Sequence, residues 1–148
     1  MFYQSTNSQL MKYKGSCLCG SIRFEIEGEF ENFILCHCHL CRKDTGSAHA
    51  SNLFSTSAKL HWLSGKELVK NYEFNSTGHT QSFCLNCGSA LPRIQMGGTL
   101  LCVPAGSLDS DVNITPKAHI YMDDKGNWDH DLESIPKYAE LPTNKNNK

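Results

Sequence analysis

Seven of the eight cysteines fall in three tight groups, and these groups are the strongest chemical signal in the chain. They are CLCG at 17–20, CHCHLC at 36–41 and CLNCG at 84–88. CxC and CxxC spacings place sulfurs close together, which suits a metal ion better than several separate disulfides. Clustered thiolates favour Zn²⁺, so the spacing predicts zinc binding.

The first and third groups predict one closed, structural site. In each, two cysteines are followed directly by a glycine, whose backbone freedom suits a tight turn with its amides facing the sulfurs. Together the groups supply four thiolates from two distant segments, which leaves no open coordination position. The predicted ligands are Cys17, Cys19, Cys84 and Cys87.

The middle group predicts a second site with only three protein ligands. On an extended strand, Cys36 and Cys38 face one side while His37 and His39 face the other. The histidines are therefore poor candidates for the metal that the two cysteines bind. Cys41 follows a turn and can bring its sulfur back to the pair, which leaves a fourth position open.

Spacing alone leaves a second pairing open. Cys38 and Cys41 also form a CxxC pair, which could complete a four-thiolate site with the group at 84–88 and leave Cys17, Cys19 and Cys36 as the trio. We prefer the compact trio at 36–41, because three ligands from one short loop need no long-range assembly. The remaining cysteine, Cys102, lies in the apolar run TLLCV and is predicted to be a core thiol.

An open three-thiolate zinc site predicts chemistry at sulfur. Three thiolates leave the site with a net negative formal charge, so it polarises water less than a zinc ion held by neutral histidines. It should hold an incoming thiol as the thiolate and keep that sulfur nucleophilic. The pattern therefore indicates a reaction that makes or breaks a carbon–sulfur bond.

Short strands and turns must position these cysteines. SIRFEIEG at 21–28 alternates apolar and charged residues, which predicts a half-buried strand ending at Gly28. FENFILCHC at 30–38 predicts a second strand, and RKDTGS after it predicts a turn or short helical loop. No segment has a convincing helical period, so we predict a mainly β fold with zinc knuckles between strands. The other predicted strands are HASNLF, KLHWLSG, KELVKNYEF, TQSFC, ALPRIQ and TLLCVPAGSL.

Length and composition predict one small domain in a reducing compartment. The chain has 148 residues with 14 basic and 15 acidic side chains, so a large nucleic-acid-binding surface is not expected. The N-terminus lacks the apolar stretch of a signal peptide, and no run is long enough to span a membrane, which favours the cytoplasm. We expect a flexible extension at 1–12, a zinc domain at 13–142 and a flexible tail at 143–148.

Five segments of the chain, taken in order, carry a resemblance to a known family. They are GSCLCGSIRFEIEG, CHCHLCRKDTGSAH, FCLNCGSAL, AGSLD and PKAHIYMDDKGNW. Together they resemble the glutathione-dependent formaldehyde-activating enzyme family, which also includes the centromere protein V relatives. The resemblance runs from about Lys14 to about Pro142, which is nearly the whole chain.

This resemblance implies a fold, a ligand set and a reaction. The implied fold is a β-tent of twisted antiparallel sheets. The implied activity joins glutathione and formaldehyde into S-hydroxymethylglutathione, within the broader class of carbon–sulfur lyases. A small-molecule thiol such as glutathione is therefore the expected partner, whereas nucleic acid and a membrane are not. The family pattern implies a structural zinc on Cys17, Cys19, Cys84 and Cys87 and a catalytic zinc on Cys36, Cys38 and Cys41.

The catalytic proton donor stays unassigned at this level. Addition of a thiolate to formaldehyde leaves an alkoxide that must gain a proton. His39, Asp44 and His49 flank the metal loop, but nothing in the sequence brings one of them within reach. Arg42 could pair with a substrate carboxylate or be a solvated loop cation, and His119 is expected to pack.

Two other functions stay open. One is a non-catalytic zinc module that binds protein or nucleic acid, which a fourth protein ligand at the second site would favour. The other is a zinc store or redox sensor, since exposed zinc thiolates can be oxidised.

Overall fold

A computed structural model describes residues 11–142, so nearly all of the predicted extension at 1–12 and the whole predicted tail at 143–148 lie outside the described residues. The strands are β1 Lys12–Ser16, β2 Arg23–Glu27, β3 Asn32–Cys36, β4 Ala50–Ser55, β5 Lys59–Ser64, β6 Val69–Glu73, β7 Thr80–Cys84, β8 Ala90–Leu91, β9 Arg93–Gln95, β10 Leu100–Pro104 and β11 Ala118–Ile120. The α-helix α1 spans His39–Thr45, and short 3-10 turns span Lys66–Leu68, Met96–Gly98, Ala105–Ser107, Met122–Asp124 and Leu132–Ser134.

The strands form three small sheets. Their orders are β1-β2-β5, β11-β3-β4-β10-β9 and β6-β7-β8. Neighbouring strands run antiparallel, except that β11 pairs in parallel with β3. The mainly β fold predicted from the sequence is therefore confirmed.

The core lies where the inward faces of these sheets meet. Ile22, Phe24 and Ile26 are fully buried, as the alternation in SIRFEIEG predicts. Tyr13 of β1 and Leu53 of β4 join the same apolar cluster. Each such side chain contributes about 2 kcal/mol of burial free energy. The core therefore fixes the positions of the strands that carry or flank the clustered cysteines.

The second predicted strand ends earlier than expected, and a helix follows it. Strand β3 stops at Cys36, because Cys38 caps the N-terminus of α1 with its side chain. At the other end, Gly46 adopts a left-handed conformation (φ 65°), and its N–H donates to the carbonyl of Arg42 at 2.9 Å. The RKDTGS segment, predicted as a turn or short helical loop, thus supplies the second half of a two-turn helix.

The chain after β10 is long, largely exposed and poor in regular structure. Between Ala105 and Pro142 it forms only β11 and isolated 3-10 turns. Large apolar side chains there face outward, including Tyr121, Trp128 and Leu141. No helix among residues 11–142 is both long enough and apolar enough to cross a membrane.

Candidate metal centres

The first cysteine cluster joins the β1–β2 turn to the β7–β8 turn. The Sγ atoms of Cys17, Cys19, Cys84 and Cys87 all lie within 4.8 Å of one another. Cys17 and Cys84 are buried, whereas Cys19 is exposed. Four sulfurs at these separations form a set that could hold one metal ion in a tetrahedral arrangement.

The two turns that carry this cluster have the same local design. Gly20 (φ 80°) and Gly88 (φ 79°) adopt the left-handed conformation, and their N–H groups donate to the carbonyls of Cys17 and Cys84. Backbone amides also donate to the sulfurs: Ile22 to Cys17 Sγ and Asn86 to Cys84 Sγ, each at 3.3 Å. The glycines therefore have the turn-forming role that the sequence predicted for them.

Hydrogen bonds favour the thiolate form at the outer edge of this cluster. Those from Ser89 lower the pKa of Cys87 to about 5. Hydrogen bonds from Ser21 and Asn86 lower the pKa of Cys19 to about 7. Since a thiolate is the form that binds metal, these donors prepare the cluster for a cation.

The second cluster lies at the junction of β3 and α1. The Sγ atoms of Cys36, Cys38 and Cys41 lie within 4.8 Å of one another. Cys38 is extended (φ −64°, ψ 156°), and its sulfur accepts a hydrogen bond from the N–H of Cys41 at 3.3 Å. One short segment thus brings together the compact trio that the spacing favoured.

The chemistry of this donor set fits a divalent cation. Burial raises the pKa of Cys36 and also that of Cys41, so neither thiol ionises readily on its own. Three adjacent thiolates would also repel one another. A divalent cation among the sulfurs would offset both effects, which is the usual reason for such a cluster.

Among residues 11–142, no fourth histidine, cysteine or carboxylate joins the Cys36–Cys38–Cys41 group. His37 turns away from the sulfurs, and His39 is exposed. Cys102 is fully buried in β10, as predicted for a core thiol. The described chain therefore provides three sulfur ligands at this point and no more.

His37 belongs to a polar cluster that the sequence did not reveal. Its Nε2 lies 2.9 Å from Nδ1 of His119, and its Nδ1 lies 3.1 Å from an Oδ of Asp129 without good hydrogen-bond alignment. The ring of His49 packs against it, with centroids 4.9 Å apart. Burial lowers the pKa of His37, so this side chain favours the neutral form. The partners come from distant parts of the chain, and no local pattern points to them.

The remaining polar candidates on α1 also have protein partners. Arg42 is half-buried, and its Nη1 donates to the carbonyl of Asp124 at 2.8 Å. It is therefore not a fully solvated loop cation, and its Nε is buried without a hydrogen-bond partner among residues 11–142. Asp44 contacts Nε2 of His79, a residue that precedes β7 and that sequence reasoning did not single out.

The fold and the two clusters define a small, mainly β protein with two groups of cysteines that could hold metal ions. A model of the family described as glutathione-dependent formaldehyde-activating enzyme matches residues 12–124. The chain belongs to this family, as the resemblance of its motifs predicted.

Individual proteins support this assignment. The chain is 30% identical over 125 residues to a Halomonas elongata protein named "Putative glutathione-dependent formaldehyde-activating enzyme", and the match covers 80% of each. A crystal structure of a Rhodobacter sphaeroides protein superposes with a TM-score of 0.50 at 24% identity. That match covers 72% of this chain and 97% of the other, and it supports the fold alone.

Proposed function

We propose that this protein is a zinc-dependent carbon–sulfur lyase or synthase that acts on the adduct of glutathione, or a similar thiol, with formaldehyde. One observation carries the proposal: the Cys36–Cys38–Cys41 group has three sulfurs and no fourth protein ligand among the described residues. Family membership supplies the substrates, glutathione and formaldehyde.

In this proposal, Cys17, Cys19, Cys84 and Cys87 hold a structural zinc ion. Four sulfurs complete a tetrahedral shell, so this site has no position for a substrate. Its role is to join the β1–β2 turn to the β7–β8 turn, which supports a core built from small sheets.

Cys36, Cys38 and Cys41 would hold the second, catalytic zinc ion. When bound there, zinc supplies an open coordination position that favours the thiolate form of an added thiol. The chain's own part is to fix the three sulfurs, through the end of β3 and the cap of α1, and to keep His37 out of that position.

The proposal extends to the compartment and the domain. All eight cysteines are free thiols, which fits a reducing compartment, and we propose the cytoplasm. We also propose that residues 13–142 form the working domain. A small-molecule thiol is then the partner, rather than nucleic acid.

X-ray absorption at the zinc edge tests the proposal directly. We expect two zinc ions per chain, and added glutathione should bring one more sulfur into the average shell. Cys38→Ser should abolish that change, whereas Cys102→Ala, a control outside both clusters, should keep it. If glutathione leaves the zinc spectrum unchanged, the second site is structural too, and the chain is a non-catalytic zinc module.

Exchange NMR tests the reaction itself. Glutathione and formaldehyde combine spontaneously, so the measured quantity is the rate of adduct exchange above a protein-free blank. We expect the protein to raise this rate and Cys38→Ser to return it to the blank. A wild-type rate equal to the blank would exclude the formaldehyde adduct as substrate.

A further inference from the structure

A cavity of about 580 Å³ opens where strands from all three sheets meet, and it contains none of the clustered cysteines. Its volume lies in the range of small-molecule sites. Leu60 and Trp62 of β5 form an apolar wall, and Tyr72 of β6 adds an aromatic edge. The polar lining includes Lys66, Glu73, Thr80, Ser82 and Arg93.

Arg93 carries an unmatched charge at this cavity. Its Nε is buried and has no hydrogen-bond partner among residues 11–142, and no carboxylate of those residues forms an ion pair with it. Arg93 as a whole is half-buried, but a buried N–H without an acceptor is costly, so its Nε calls for a partner. A planar carboxylate is the acceptor that best matches the guanidinium fork.

Two further charges at the cavity are also without ion-pair partners in the described part of the chain. Lys66 adds a second, exposed cation, and Glu73 adds one exposed anion. Two cations and one anion around an aromatic wall complement a molecule with two carboxylates and one ammonium group. A small acidic peptide has this pattern, whereas a neutral or cationic ligand does not.

The cavity is connected to the helix of the second cluster. Thr80 lines the cavity, and its neighbour His79 contacts Asp44 of α1, three residues after Cys41. Burial raises the pKa of the Cys102 thiol to about 11, while the charge of Arg93 opposes the rise and that of Asp44 adds to it. Arg93 is also the register partner of Cys102 where β9 pairs with β10.

We propose that this cavity binds the carboxylate-bearing part of a small peptide thiol, with Arg93 and Lys66 pairing with its carboxylates and Glu73 with its ammonium group. The inference rests on the proposed function in taking the thiol of the second site as its ligand. It assigns to these residues the recognition of the substrate, separate from the chemistry at the cysteines.

Calorimetric titration with S-methylglutathione tests the site without a free thiol. We expect the wild-type, zinc-loaded protein to bind it, Arg93→Met to weaken binding at least tenfold, and Lys66→Met to weaken it severalfold. Lys70→Met is the matched control, since Lys70 lies on β6 outside the cavity lining and should leave binding unchanged. Arg93→Lys keeps the charge and should retain part of the affinity. It therefore shows whether weak binding by Arg93→Met reflects the missing charge or a failure to fold.

The outcomes separate this inference from the proposed function. If the wild type does not bind S-methylglutathione, or if Arg93→Met and Lys66→Met bind it as the wild type does, the cavity is not the recognition site. Glutathione could still enter the zinc shell in that case, and the proposed function would stand. If binding depends on Arg93 but glutathione never changes the zinc shell, the cavity assignment holds and the proposed chemistry fails.

Discussion

His37 and His119, which are 82 residues apart in sequence, place Nε2 and Nδ1 2.9 Å from each other. His37 is only 2% exposed and sits between two cysteines of the second cluster, whereas His119 lies on β11. The parallel pairing of β11 with β3 brings them together. The contact holds the largely exposed C-terminal segment against the strand that leads into the cysteines.

Replacing His37 should therefore loosen that segment. His37→Phe keeps a ring but leaves His119 and Asp129 without their partner, and we expect a loss of about 1–3 kcal/mol in the free energy of unfolding. Hydrogen exchange of the amides in 118–129 should speed up, while exchange in β1 and β2 stays slow. His61→Phe is the control, since His61 pairs with Glu27 at an exposed position. Unchanged exchange in 118–129 would show that the two histidines do not hold the segment.

Glu31 gives the loop between β4 and β5 a pH-dependent anchor. Its carboxylate accepts hydrogen bonds from the N–H of Thr56 at 2.8 Å and from the hydroxyl of Ser57 at 3.2 Å. Partial desolvation alone would raise the pKa of this largely exposed carboxyl group, but these hydrogen bonds outweigh it, and the pKa of Glu31 is lowered in the folded protein. The stability from this group is therefore present above its unfolded pKa and is lost as the pH falls through the lower, folded pKa.

Glu31→Gln should remove this contribution. At pH 7 the variant should be less stable by no more than about 1 kcal/mol, because the carboxylate is exposed and screened. The difference between variant and wild type should shrink as the pH falls below the ordinary range of glutamate, which urea unfolding at several pH values can follow. A stability difference that is constant with pH would mean that the charge of Glu31 does not contribute to stability.

Much of the fold followed from local pattern. The alternation from Ile22 to Ile26 predicted the half-buried strand β2, because one face of β2 is covered and the other meets water. The spacing within each cysteine group predicted which neighbouring sulfurs would lie side by side, and the compact group at 36–41 favoured the second cluster on its own. The pairing between the groups at 17–20 and 84–88 needed the family resemblance, because spacing does not encode long-range contacts.

The misses have two physical causes. Helix α1 was only partly anticipated, because its N-cap is Cys38 rather than one of the usual serine, threonine or aspartate caps. The partner of His37, the contact between Asp44 and His79, and the charges at the cavity all join distant segments. Gly46 was the one local signal that could have placed the end of the helix.

Gly65 marks a close approach between two chain segments. It has a positive φ of 73°, and a Cβ there would lie 2.2 Å from the carbonyl oxygen of Ser21, next to the turn of the first cluster. Gly78 has a similar φ of 84° but open space around it. Comparing substitutions at the two glycines therefore separates the cost of backbone strain from the cost of a steric collision.

Gly65→Ala should destabilise the protein much more than Gly78→Ala. The strain of a positive φ alone costs about 1–2 kcal/mol and should be common to both. The collision with Ser21 should add at least about 1 kcal/mol at Gly65, because backbone must move. Thermal unfolding of both variants at matched zinc content gives the comparison, and equal losses would mean that the chain can separate at Gly65 without cost.

Stepwise removal of zinc should distinguish the two clusters by what each loss does to the fold. The Cys36–Cys38–Cys41 group has three protein ligands from one segment, so a chelator should empty it first and leave the circular dichroism spectrum unchanged. The four-cysteine cluster links two distant turns, so its loss should come later and should unfold the protein. Zinc release measured with a colorimetric chelator alongside circular dichroism gives both steps. Cys36→Ser should abolish the first step only, whereas Cys84→Ser should prevent stable folding. A single release step that coincides with unfolding would contradict separate roles for the two clusters.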